Sequence, residues 1–181
     1  MCIYVKDFAQ LCNKMNNINE VFYIYPEKWF HIRKLAKILC ISPNTVKNKI
    51  EILFKLNHVE KRNYNNMIEY RANLDNKSFI LHKKLYNLLQ IYESGLVDYL
   101  KDYYSNCPII LFGSFSRGED LSTSDIDIAI ISSKKTRPNL EKYEKEIHRE
   151  INLSVFLKED VSKEFMNNII NGIVLEGVLE I

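Results

Sequence analysis

Two aspartates, Asp125 and Asp127, stand one residue apart at the head of the aliphatic run Ile128 to Ile131. Twelve positions before the first of them, Gly113-Ser114 breaks another apolar run, Ile109 to Phe112. Short β-branched and aliphatic runs bounded by turn residues read as buried strands. The stretch therefore reads as strand, glycine turn, short helix or loop, and strand, with both carboxylates near the start of the second strand. Residues i and i+2 of a strand project to one face, so Asp125 and Asp127 share a side. Like charges held that close repel unless a cation lies between them. The chemistry to look for is that of a carboxylate pair holding a cation next to a glycine turn.

Other elements must hold that pair in place. Leu81, Leu85, Leu88, Leu89, Tyr92, Leu96, Tyr99, Leu100 and Tyr103 recur at three- and four-residue steps. This predicts an amphipathic helix over 78–104, bent near Ser94-Gly95, whose Leu/Tyr stripe is core or a dimer seam. Leu140 to Arg149 reads as a charged helix with Tyr143 and Ile147 as its apolar contacts, and Ile151 to Leu157 as a third strand. Val161 to Ile170 reads as a last helix stopped by Asn171-Gly172, followed by an apolar tail from Ile173 that packs on the domain.

Gly113-Ser114, Arg117-Gly118 and Ser124-Asp125-Ile126-Asp127, set between two apolar strands, resemble the signature of the minimal nucleotidyltransferases of the DNA polymerase β superfamily. The resemblance implies a small α/β domain with a mixed sheet that transfers a nucleoside monophosphate from an NTP, ATP first among them, to a hydroxyl acceptor. On that reading Gly113 lets the backbone approach phosphate oxygens, Ser114 donates to them, and Ser124 belongs to the same nucleotide-binding set. Asp125 and Asp127 would hold Mg2+, a hard ion with oxygen ligands. Arg117 either neutralises the triphosphate or pairs with Glu119 or Asp120. The family's third carboxylate comes from a later strand, where this chain has Asn152. Asparagine offers an oxygen to a metal but carries no charge and cannot act as a base. Glu150, just before that strand, is read as facing away from the Asn152 side. Transfer activity and nucleotide binding without turnover both remain open.

The first part of the chain has a different pattern. Ile32, Leu35, Ala36 and Leu39 form one helical stripe, and Ser42-Pro43 is a helix start with proline in the first turn. Val46, Ile50, Leu53, Phe54 and Leu56 form a second stripe. Val59 to Arg62 and Met67 to Arg71 read as strands around the Asn63–Asn66 tip. The segment Leu35 to Val46 resembles the winged helix-turn-helix family, with the resemblance extending over about residues 20–74. In that family the second helix enters the major groove by its N-terminal part. This puts Asn44, Thr45, Lys47, Asn48 and Lys49 near double-stranded DNA, with Lys61 and Arg62 near phosphates. The alternative is a protein–protein module with a solvated polar face. Val5, Phe8, Leu11, Cys12 and Met15 fit a further helix before these elements.

Residues 1–76 carry twelve Lys/Arg against seven Asp/Glu, while 77–181 carry thirteen against sixteen. The asymmetry directs the first part toward a polyanion. No apolar stretch is long enough to span a membrane, and no secretory leader is visible, which points to the cytoplasm. Cys2, Cys12, Cys40 and Cys107 are scattered without metal-ligand spacing and read as buried reduced thiols. The expected architecture is α+β. A winged helix-turn-helix domain (1–76) is joined by a long helix to a nucleotidyltransferase-like domain (77–181). The expected partners are Mg2+, an NTP and DNA, with a protein acceptor, a toxin partner or a second copy of the chain as further candidates. The competing reading is a catalytically weak, nucleotide-binding regulator or antitoxin-like protein.

Overall fold

The computed structural model describes residues 17–105 and 107–179. The helical pattern at Val5, Phe8, Leu11, Cys12 and Met15 therefore lies outside the described residues. The chain divides into two compact units between Ile80 and Leu81.

In the first unit, Asn17 is a helix cap, because its side chain accepts the Asn19 N–H and opens α1 (Ile18–Ile24). The sequence predicts a helix running from Phe30. Instead Phe30 and His31 form a short strand, β1 (Phe30–His31), which buries Phe30 fully. Helix α2 (Ile32–Leu39) starts only after His31, whose Nδ1 accepts the Lys34 N–H. Ser42 Oγ accepts the Thr45 N–H and Pro43 sits in the first turn of α3 (Pro43–Lys55), as the sequence predicts. The hairpin strands β2 (Val59–Tyr64) and β3 (Met67–Ala72) meet at Asn65 and Asn66, both in the left-handed region that a two-residue hairpin turn requires. β1 adds to β3, giving an antiparallel sheet of order β1-β3-β2 in place of the plain hairpin. Val21, Phe22, Leu35, Val46, Ile50 and Val59 are buried with Phe30 in its core.

Helix α4 (Lys77–Glu93) runs through the division, and Gly95, at φ 74°, separates it from α5 (Leu96–Tyr103). The predicted bend is thus a full break, since glycine adopts that backbone at little cost. The second unit continues with β4 (Ile109–Phe112), α6 (Gly113–Arg117), β5 (Ile126–Ile131), α7 (Glu141–Ile147), β6 (Ile151–Phe156), α8 (Lys163–Ile170) and β7 (Ile173–Glu176). Its sheet order is β6-β5-β4-β7, with β5 and β6 parallel and the other pairs antiparallel. The mixed sheet matches the sequence expectation, but β7 was not foreseen as a strand. Alternation along β5 sends Ile126, Ile128 and Ile130 into one layer with Ile91, Leu96 and Leu100. Ala129 goes to the other layer with Ile110, Phe112, Phe156 and Ile169. Each fully buried aliphatic side chain contributes about 1.5–3 kcal/mol. Cys40 and Cys107 are free thiols, and Cys40 is exposed rather than buried. Among the described residues no helix is long and apolar enough to cross a membrane.

Candidate nucleotide site

Strand pairing sets the site. Asp127 lies opposite Phe112, the last residue of β4, and opposite Asn152 on the parallel strand β6. Because Ile126 and Ile128 fill the core layer on one side, Asp127 must face the other. Immediately after Phe112 the chain turns at Gly113, φ 74°. A Cβ at this position would overlap Asp127 Oδ2. The glycine is therefore required twice, by its backbone conformation and by how closely the turn approaches the carboxylate. Asn152 Nδ2 donates to Asp127 Oδ1 at 3.0 Å. One carboxylate thus meets the glycine turn on one side and an amide on the other. Asp125 stands just ahead of β5 and is exposed, whereas Asp127 is half-buried.

The turn is held from within. Ser116 Oγ donates to Gly113 O at 2.8 Å, and Gly118 closes α6 in the left-handed conformation. Ser114 lies in the first turn of α6, partly exposed. Ser124 Oγ accepts the Leu121 N–H at 2.9 Å and so shapes the loop leading to Asp125. Of the partners considered for Arg117, the structure shows Glu119, with Nε donating at 2.7 Å in an exposed ion pair. Pairs of this kind contribute about 0–1 kcal/mol and break easily.

Among the described residues no group of three or more His, Cys, Asp or Glu is arranged to hold a metal ion. Asp127, with the Asn152 amide 3.0 Å away, and Asp125 two residues before it are nevertheless the kind of oxygen donors that suit Mg2+. That ion takes one or two carboxylates and fills its other positions with phosphate oxygens and water. Glu150 lies just before β6 and outside the strand. Its carbonyl accepts the Ile126 N–H at 2.9 Å, level with the carboxylate pair. Glu150 is exposed and lines a shallow cavity of about 290 Å3 with Glu141, Glu144, Lys145, His148 and Arg149.

A buried polar group behind the site escaped the sequence reading. Asp120, in the loop between α6 and β5, is almost fully buried. Its Oδ1 accepts from Lys83 Nζ and, at 2.7 Å, from Asn87 Nδ2. Asn87 also donates to Phe115 O at 3.0 Å, and Arg149 Nη2 lies 3.8 Å from Asp120 Oδ2. This group ties α4 to α6 and to both approaches to the carboxylates. Lys83, Asn87 and Ile91 recur every four residues and so share a helix face, but nothing in that spacing marks the face as buried.

In the first unit, Asn44, Thr45, Lys47, Asn48 and Lys49 are all exposed on the first half of α3. Thr45 Oγ1 is within 2.8 Å of the capping Ser42 Oγ. Lys61 Nζ lies over the Phe54 ring at 4.7 Å. Arg62 donates to Glu69 Oε2 at 2.9 and 2.7 Å and stacks over Trp29 at 4.2 Å. The two wing cations therefore differ, and Arg62 already has a carboxylate partner.

Residues 93–173 match the family model for the nucleotidyltransferase domain, a stretch that holds Gly113, Asp125, Asp127 and Asn152. The match supports a general nucleotidyltransferase activity. No curated protein matches the chain.

Proposed function

We propose that the second unit binds an NTP with Mg2+ and transfers its nucleoside monophosphate to a hydroxyl on a protein or small molecule, and that the first unit is a DNA-binding winged helix acting in the cytoplasm. The observation that carries the first part is Asp127, touched by the Gly113 turn and hydrogen-bonded to Asn152. A phosphate-binding turn and a metal-binding carboxylate are useful together only when they are this close. On this reading the Gly113 backbone and the Ser114 hydroxyl cradle the triphosphate, while Asp125 and Asp127 hold the ion and Asn152 lends its amide oxygen. Bound Mg2+ would neutralise charge on the transferring group and the leaving pyrophosphate. The acceptor oxygen attacks the α-phosphorus, the bond to the β-phosphate oxygen breaks, and pyrophosphate leaves. Asn152 cannot take the acceptor's proton, so that proton goes to Asp125, Asp127 or solvent. The test is incubation with each α-labelled NTP, Mg2+ and acceptor fractions, wild type against Asp127→Ala. Label transfer by wild type alone is expected, and equal label with both chains would sink the reading.

A second reading is favoured by Asn152 itself: a regulator that binds nucleotide without turning it over, including as an antitoxin-like partner of a toxin. Equilibrium binding of MgATP without any labelled product selects it. For the first unit, support comes from the exposed polar first half of α3 and from α2, α3 and the β2–β3 hairpin following in winged-helix order. Salt-dependent binding to duplex DNA, weakened by Lys47→Ala, is the expected result.

A further inference from the structure

Asp120 is 1% exposed, and its two oxygens face two different arms of the chain. Oδ1 accepts from Lys83 Nζ and Asn87 Nδ2 on α4, and Asn87 carries the tie on to the Phe115 carbonyl of α6. Oδ2 lies 3.8 Å from Nη2 of Arg149, whose side chain is 8% exposed. Each arm leads to the carboxylate pair. From Asp120 the chain reaches Asp125 through one small turn, in which the Leu121 N–H donates to Ser124 Oγ at 2.9 Å and the Ser124 N–H to Leu121 O at 3.1 Å. From Arg149 it passes Glu150, whose carbonyl accepts the Ile126 N–H at 2.9 Å, and reaches Asn152, which donates to Asp127. One buried carboxylate therefore joins the segments that deliver Asp125 and Asn152.

Stability does not explain the choice of residue. A buried ion pair exchanged for apolar side chains of similar volume is often neutral or stabilising. A carboxylate offers instead two acceptor oxygens in a fixed fork, so one group can hold two segments at a set separation. An asparagine has one oxygen, and turning it toward Lys83 would set its NH2 against the Arg149 guanidinium, donor facing donor. We propose that Asp120 is a positioning residue of the nucleotide site, fixing the Asp125 loop against the start of β6 and so setting how Asn152 meets Asp127. Being buried, it acts through those residues and not by touching nucleotide or ion. The inference rests on the reading of Asp125, Asp127 and Asn152 as the site for Mg2+ and NTP.

Two readouts on the full chain test this, both taken well below the melting temperature of every variant. One is the Asn152 side-chain amide in 15N-edited NMR, assigned by its absence from Asn152→Asp. The other is the Mg2+ concentration needed for half-maximal binding of labelled ATP. In wild type the Nδ2 proton bonded to Asp127 is expected to stand apart from those of solvent-facing asparagines. Asp120→Asn should return it to their position and raise the Mg2+ requirement about tenfold. Arg149→Gln leaves Lys83, Asn87 and Asp120 together and should have the same two effects, which keeps the test decisive if Asp120→Asn does not fold. Leu100→Ala, a core truncation on α5, should lower the melting temperature and change neither readout. An Asn152 amide unchanged in Asp120→Asn or Arg149→Gln overturns the proposal, as does an equal change in Leu100→Ala. If no chain binds MgATP but Asp120→Asn still moves the Asn152 amide, the nucleotide reading fails and the positioning role stands.

Discussion

Around Asp127, a one-atom change in two neighbours separates the roles of the parts. Gly113→Ala places a methyl on Asp127 Oδ2 and forces a side chain into φ 74°. Both effects act at once, so the variant is expected to lose about 1–3 kcal/mol of stability and most of its MgNTP affinity. Thermal denaturation with and without nucleotide measures both. Asn152→Asp acts in the opposite sense. It removes the amide donor to Asp127 Oδ1 and sets a like charge beside it, so without metal the melting temperature falls. A cation relieves that repulsion, so Mg2+ should raise the melting temperature of this variant more than that of wild type. Identical Mg2+ shifts for the two chains would show that residue 152 does not face the ion. The residues of this site were legible because strand alternation and glycine turns are local rules. Side-chain pairing was less so: Arg117 to Glu119 was one of the options the sequence left open and Arg62 to Glu69 was not raised, since such choices among neighbours depend on the folded register.

The elements follow the same division. Capping residues announced α3, and aliphatic runs announced β4, β5 and β6, since each signal lies within its own segment. β1 and β7 were missed because short edge strands are defined by the strand they join, β3 and β4, and not by their own pattern. The sequence left the Leu/Tyr stripe of α4 open between core and dimer seam for a related reason. With apolar residues at 81, 85, 88, 89, 91 and 92, periodicity alone points the leucines inward, and only Asp120 makes a Lys83/Asn87 face burial-competent. That dependence can be measured. Asp120→Ala leaves Lys83 buried without its carboxylate and is expected to cost about 3–5 kcal/mol, more than Lys83→Met, which leaves Asp120 beside Asn87 and Arg149. The double variant should be more stable than the sum of the single effects predicts. Denaturant titration of the four chains gives the coupling, and a coupling near zero would mean the pair is incidental to the fold. In the core of the same unit, Tyr104 donates to Thr136 O, and burial raises its phenol above the usual 10.0. The folded state therefore holds this proton more tightly than the unfolded chain does. The stability it contributes is present below pH 10.0 and is lost as pH climbs through the raised value. Tyr104→Phe should flatten that alkaline loss.

For the molecule as a whole, the net charge of +2 conceals how the cations are used. The first part holds the surplus, yet Arg62 and Arg71 are paired with Glu69 and Glu60 on its hairpin and stack on Trp29. Of the cations that remain, Lys47, Lys49 and Lys55 are exposed on α3, and Arg33, Lys34, Lys37 and Lys61 are exposed outside it. Each phosphate neutralised adds about 0.9 to the slope of log K against log salt. A single copy reading DNA with three such lysines is thus expected to give a shallow slope of about −2 to −3. Lys47→Ala should lower it by about one unit. Arg62→Ala should leave it nearly unchanged, because that guanidinium is already neutralised. Fluorescence anisotropy across a salt series with wild type and both variants measures this. A slope unaffected by Lys47→Ala would assign the DNA contacts to cations outside α3.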